Sequence, residues 1–276
     1  MACPPLPAST PFWLRHLPLW LLPGHLAACV LLLGVSEPLA QDLRYHNFAD
    51  SRTGFGLDNV ADVISNVAIL VGGLWGLHAC RRAGANFASG FERALATLFF
   101  SALVLTALGS TYYHLDPDTT RLFWDRLPIG LAFTAVLAWI VSERAAPTPT
   151  GRGLLVLWLW VGPASVIYWY WSETQGAGDL RFYLLLHLAT VLLIPAVLRT
   201  PSRWSHRQYY LAAYVAFVLG MAGDAFDREV FSLLGGAVSG HTLKHLFMGL
   251  AAALLAHMIL HRRRLAEAPG PYAYTR

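Results

Sequence analysis

Two histidines four residues apart, His241 and His245, and a serine and a histidine at the same spacing, Ser110 and His114, are the residues of this chain best placed for chemistry. Side chains at i and i+4 share one face of a helix. Two imidazoles one turn apart can grip one metal ion. A third, from another helix, completes a three-ligand site with a position left for water. Taken singly, each residue has a plainer reading. Ser110 follows Gly109 and could serve helix packing. Asp125, in the run Phe123-Trp124-Asp125-Arg126-Leu127-Pro128, could pair with Arg126. His78, His257 and His261 read as interfacial, and His187 as a packing or hydrogen-bonded residue.

The elements that carry these residues decide between the readings. The chain has 276 residues, of which 56% are hydrophobic and 13% charged, and its mean hydropathy is +0.47. A soluble domain carries about a quarter charged residues. Runs of roughly 18 apolar residues read as membrane-spanning helices. Eight such runs occur, near 17–35, 60–79, 93–114, 123–142, 153–172, 180–198, 209–225 and 241–260. The fold class predicted is therefore all-α, a polytopic transmembrane bundle. Most connections are short and rich in Pro, Gly or charge. The longest, 36–59, contains Gly54, Gly56 and four acids, and leaves room for a re-entrant or interfacial piece. Pro38-Leu39-Ala40 makes a poor cleavage signal, so the first run is expected to stay as a helix.

Counting Lys and Arg on the two sides of an eight-span bundle puts 13 with the termini and 7 on the other side. The excess marks the cytoplasmic face, so both termini are expected there. On this path Asp62, Ser65 and Asn66 fall near the start of the second run, and Ser110 and His114 at the end of the third. Asp125 opens the fourth, Asp224 and Asp227 close the seventh, and His241, Lys244 and His245 open the eighth. All lie at one depth, toward the non-cytoplasmic face, although the charge count used none of their positions as a site. Ionisable residues inside membrane helices mark function, and this coincidence in depth favours one metal site.

Other chemistries are excluded or weak. The pI near 9.1 does not indicate nucleic acid, because 19 of the 20 basic residues are Arg scattered through loops, with no basic face. Cys3, Cys29 and Cys80 form no CxxC pair. There is no GxSxG elbow, P-loop or dinucleotide fingerprint. Thr242 stands where a zinc protease would have Glu. The run Tyr168-Trp169-Tyr170-Trp171 reads as an interfacial aromatic belt.

Gly109-Ser110-Thr111-Tyr112-Tyr113-His114, then Trp124-Asp125-Arg126-Leu127-Pro128, then His241-Thr242-Leu243-Lys244-His245 resemble the alkaline ceramidase family. That family sits in a superfamily of seven-helix membrane hydrolases that includes the adiponectin and progestin receptors. Ile64-Ser65-Asn66 looks like the motif of the family's first helix. The resemblance divides the chain into residues 1–57, an N-terminal segment with an extra helix; 58–261, the seven-helix hydrolase core; and 262–276, a disordered cytoplasmic tail. It implies that His114, His241 and His245 hold Zn²⁺, with Ser110 and Asp125 catalytic. Asp62, Ser65, Asn66, Asp224 and Lys244 stand as candidates for a supporting shell. The implied reaction is hydrolysis of the amide of ceramide or a related N-acyl lipid; separately, the short loops and the Arg-dominated basic set point to a bacterial inner membrane. The family's acidic Ca²⁺ motif, D-W-x-E-x-N, is missing here: Asp50, Asp58, Asn59 and Asp62 do not reproduce it, and Ca²⁺ is not carried over. The competing reading is a receptor-like or regulatory bundle without turnover. A transporter ranks last, because its site would sit near the bilayer midplane.

The charge count yields a direct test. A reporter fused after Arg276 is expected to remain cytoplasmic; export of that reporter would mean that the span count or the orientation is wrong.

Overall fold

In a computed structural model, which describes residues 10–145, 147–200 and 202–265, the chain is a helical bundle. The helices are α1 (Phe12–Val35), α2 (Val60–Arg82), α3 (Gly90–Leu115), α4 (Thr119–Ala145), α5 (Pro149–Trp158), α6 (Val161–Thr174), α7 (Arg181–Leu198), α8 (Gln208–Ala225), α9 (Asp227–Leu233) and α10 (Gly240–His261). No strand occurs among the described residues beyond two isolated bridges, Gly54 with Leu57 and Trp204 with Arg264. Seven helical segments are long and apolar enough to cross a membrane, α5 and α6 together making one; α8 with α9 makes an eighth if the bent pair is a single span. The protein is an integral membrane protein of the polytopic helical class. Most of the segment 262–276, expected as a disordered tail, lies outside the described residues.

Helix α4 is the hub. It is 72% buried over its apolar window, against 17% for α1 at the periphery. It packs on α3, α6 and α7, while α10 packs on α2 and α8. α1 runs unbroken through Pro18 and Pro23 and rests on α5, α4 and α7, outside the α2–α10 body. Where the sequence reads one span over 153–172, the helix breaks at 159–160. Pro163 has no N–H for the carbonyl of Leu159; that carbonyl accepts instead from Thr134 Oγ at 3.2 Å. The run 209–225 is likewise followed by a turn of 90° into α9, which the apolar pattern does not announce.

Two glycine contacts set the helix spacing next to the residues of interest. A Cβ on Gly109 would collide with the Trp124 carbonyl, so α3 lies against α4 beside Ser110 and Asp125. A Cβ on Gly240 would collide with the Gly223 carbonyl, so α8 lies against α10 beside Asp224 and His241. Backbone contacts of this kind need small residues, as they do generally between membrane helices.

The opposite end of the bundle is tied by a buried ion network. Arg262 gives one N–H to Glu143 at 2.6 Å and another to Glu92 at 2.7 Å. Its guanidinium also lies over Phe87 and Trp204. Glu143 accepts from the Tyr210 hydroxyl at 2.7 Å and pairs with Arg144 at 3.2 Å. Two acids and two bases cancel within the cluster, as buried charges require. Replacing Arg262 with Ala takes from Glu92 its counter-ion and leaves Glu143 with Arg144 and Tyr210, and a loss of roughly 3–5 kcal/mol is expected, the usual consequence of breaking a buried ion pair. Thermal unfolding in detergent should show a large drop for Arg262→Ala and almost none for the exposed neighbour, Arg263→Ala. Equal melting of the two variants would contradict the role of the network.

Candidate metal centre

Helix α10 begins with a double cap that sets its first turn. Ser239 Oγ accepts from the Thr242 amide at 3.0 Å, and Asp227 Oδ1 accepts from the His241 amide at 2.8 Å. Capping fixes the helix phase, and with it the direction of His241 and, one turn on, His245. The last turn of α3 brings His114 to the same point. The three imidazoles are buried, at 1%, 4% and 3% exposure for His114, His241 and His245. One ring nitrogen from each lies within 4.8 Å of the others. His114 Nε2 and His241 Nε2 are 3.1 Å apart. Tetrahedral Zn²⁺ with bonds of about 2.0–2.1 Å sets neighbouring ligand nitrogens roughly 3.3 Å apart.

Partners at the far side of two rings orient them. Asp224 Oδ1 accepts from His241 Nδ1 at 2.6 Å, and Lys244 Nζ donates to the same oxygen at 3.0 Å. Ser65 Oγ donates to the Asp62 carbonyl at 3.1 Å, so its lone pair accepts from His245 Nδ1 at 2.8 Å. With Nδ1 protonated in both rings, each Nε2 offers a lone pair. This is the carboxylate–imidazole or hydroxyl–imidazole pairing that tunes metal ligands. His114 Nδ1 has no partner. The donor set is therefore one that a borderline-soft cation such as Zn²⁺ accepts.

The five supporting candidates fare differently. Asp224, Lys244 and Ser65 touch the imidazoles or their partner directly. Asp62 reaches α10 through Thr242, whose hydroxyl donates to Asp62 Oδ1 at 2.6 Å. Asn66 is not brought to the rings; its Nδ2 donates to the Asp62 carbonyl of its own helix at 3.0 Å. Ser110 and Asp125, 3% and 8% exposed, line a cavity of about 350 Å³ together with His245, Asp224 and Lys244. Asp125 Oδ1 is buried without a hydrogen-bond partner. The pairing of Asp125 with Arg126 does not occur among the described residues. Arg126 is instead enclosed by the rings of Trp169, Tyr45 and Tyr183, 4.3, 5.1 and 5.3 Å from its guanidinium carbon. His187 Nδ1 donates to the Tyr183 carbonyl at 2.8 Å, as a hydrogen-bonded packing residue should. His78 and His261 are exposed at the opposite end of the bundle.

Two contributors, Phe48 and Asn59, escape sequence reasoning, and a third, Asp227, is read at the right depth but without its role. Phe48, from the long connection 36–59, stacks its ring 4.7 Å from both His114 and His241. Asp227, besides capping α10, accepts from the Ala49 amide at 2.8 Å and so pins that connection over the site. Asn59 Nδ2 donates to the His114 carbonyl at 3.0 Å. Further along the same connection Asp50 bonds Arg52, and that charged hydrogen bond holds its carboxyl below the usual range. Burial, then the Arg126 charge, keeps His46 below the ordinary imidazole value. Among these residues the sequence offers a signal only for the acids, which it places at the right depth.

Set against known proteins, the chain matches no protein-family model and no curated protein.

The geometry makes the metal testable. Purified protein is expected to carry about one zinc per chain, and His241→Ala or His245→Ala to lose most of it. Asp224→Ala should weaken metal affinity by roughly 10–100-fold, the usual cost of removing a ligand's hydrogen-bond partner. Full zinc retention in both histidine variants would refute the site.

Proposed function

We propose that the protein is a zinc-dependent membrane amidohydrolase of the alkaline ceramidase type, cleaving the amide of ceramide or a related N-acyl lipid. The observation that carries this reading is a single cavity in which His245 of the imidazole trio meets Ser110 and Asp125, of which Asp125 Oδ1 is buried without a hydrogen-bond partner among the described residues. From there the cavity continues between apolar side chains such as Phe99, Ile140, Ile194 and Leu255. Its volume falls in the range of small-molecule sites, and its apolar length suits a fatty-acyl chain.

His114, His241 and His245 would hold Zn²⁺, which when bound supplies a Lewis acid for the carbonyl and lowers the pKa of water to about 7. The protein's own groups supply the rest. The apolar walls hold the acyl chain and keep bulk water from the amide. Ser110 Oγ is free to donate a hydrogen bond to the carbonyl oxygen as charge builds on it. Asp125 Oδ1 takes a proton from the attacking water and returns it to the nitrogen as the C–N bond breaks, which releases a fatty acid and an amine. The depth of the cluster and the 13-to-7 basic split support a site near the non-cytoplasmic face and cytoplasmic termini, and the short loops with an Arg-dominated basic set support a bacterial inner membrane.

Asp125→Asn keeps the shape and removes the base. It is expected to lower turnover by roughly 10² to 10⁴, the scale of general acid–base catalysis, with zinc content unchanged. Loss of zinc along with activity would make Asp125 a ligand, and near-normal turnover would remove it from the mechanism. Zinc-loaded wild-type protein that releases no fatty acid from any N-acyl lipid would favour the receptor-like reading.

A further inference from the structure

Arg126 is a buried cation that the reaction above does not use. It is 6% exposed and lines the same cavity as Ser110, Asp125 and His245. Among the described residues it makes neither an ion pair nor a hydrogen bond, and its Nη1 is buried without an acceptor. The three rings around it return part of the cost of burying the charge through cation–π attraction. They offer nothing to its five N–H donors, which are arranged as a fork for a planar or tetrahedral oxyanion. The nearby acids are engaged elsewhere: Asp224 holds Lys244 and His241, Asp62 holds Thr242, and Asp227 holds two backbone amides. Asp125 Oδ1 and the second oxygen of Asp62 keep no partner, but neither acid is bonded to Arg126 among the described residues.

The surroundings point outward. Tyr45, which stacks on Arg126, also lines a second pocket of about 410 Å³, shared with Arg44 and Arg228. Arg44 is neutralised by Asp42 at 2.7 Å, whereas among the described residues Arg228 bonds the Asn47 carbonyl, at 2.8 Å, and no acid. A negative group would thus meet cations on both sides of Tyr45.

We infer that Arg126 is the recognition site for an oxyanion on the head of the lipid, so that the favoured substrates are anionic N-acyl lipids bearing a carboxylate or a phosphate close to the amide. This rests on the amidohydrolase reading for the word substrate, but not for the binding of the anion. The guanidinium fork takes the oxyanion, the apolar cavity takes the acyl chain, and the amide between them lies beside Ser110 and Asp125. A neutral head group leaves the Arg126 donors unpaired, which costs affinity.

The test uses three probes with one acyl chain: N-dodecanoylglycine, N-dodecanoyl-O-phosphoethanolamine and neutral N-dodecanoylethanolamine. Binding and hydrolysis are measured on zinc-loaded, full-length protein in nanodiscs. Wild type is expected to bind at least one anionic probe about 10-fold or more tighter than the neutral one, and which anion wins tells carboxylate from phosphate. Arg126→Gln should lower affinity for that anion by roughly 30-fold or more, the lower end for removing one member of a buried charge pair, with the neutral probe little changed. Arg126→Lys keeps the charge in the ring cage and should retain part of the preference. Equal wild-type affinity for all three probes, or equal loss for all three in both variants, would overturn the inference and show Arg126 to be a pin between α4, α6 and α7. Anion-selective binding without turnover would instead overturn the hydrolase reading and leave the anion site standing.

Discussion

A polar side chain in hydrocarbon must find its partner inside the protein, and this requirement shapes both ends of the bundle. At one end Arg262, Glu92, Glu143 and Arg144 cancel one another. At the other, the Asp224–Lys244 pair, the imidazoles and the Asp62–Thr242 bond form a linked set in which most groups are satisfied. Between the two ends the buried polar groups are mostly hydroxyls bonded to carbonyls of their own helix, as in Thr106 and Thr190. Among the buried groups left unsatisfied, Asp125 Oδ1, His114 Nδ1, Arg126 Nη1, Asp62 Oδ2 and Asn66 Oδ1 fall at the second of these sets or beside it, while others, such as Trp139 Nε1 and Arg144 Nη2, lie elsewhere. Such exceptions in a buried interior call for a specific explanation. Asp125 and Arg126 line one cavity with Ser110 and His245, the observation on which the proposed ligand chemistry at that end rests.

Close helix contact makes this arrangement precise. Gly109 lets α3 reach the backbone of α4, and Gly240 lets α8 reach α10; each contact adjoins residues of the site. The capping of α10 by Ser239 and Asp227 fixes the phase of its two histidines. The same Asp227 binds the Ala49 amide, which draws the connection 36–59 across the centre and brings Phe48 onto two of the rings. The rings are therefore held by short-range contacts on several sides, as a preorganised site requires.

Much of this was legible in the chain, and the reasons are local. Spans could be read because each carries its apolar composition within itself. The histidine pair could be read because i and i+4 face one way in any helix. The joint depth of Ser65, Ser110, Asp224 and His241 followed from counting spans. What could not be read depends on partners distant in sequence. The 90° turn between α8 and α9 leaves no apolar signature. The break before Pro163 rests on Thr134, from another helix. Arg126 has its neighbour Asp125 as the only partner the sequence suggests, whereas rings from α6, α7 and the connection 36–59 enclose it. Asn66, placed at the right depth, turns its amide to its own helix instead.

The account stands or falls on a metal held by imidazoles from α3 and α10. X-ray absorption at the zinc edge of the purified protein addresses this most directly. The expected spectrum has a shell of nitrogen and oxygen at about 2.0–2.1 Å, with the outer-shell scattering of three imidazoles and no sulfur at about 2.3 Å. A sulfur shell, fewer than two imidazoles, or the absence of bound metal would contradict the assignment of His114, His241 and His245.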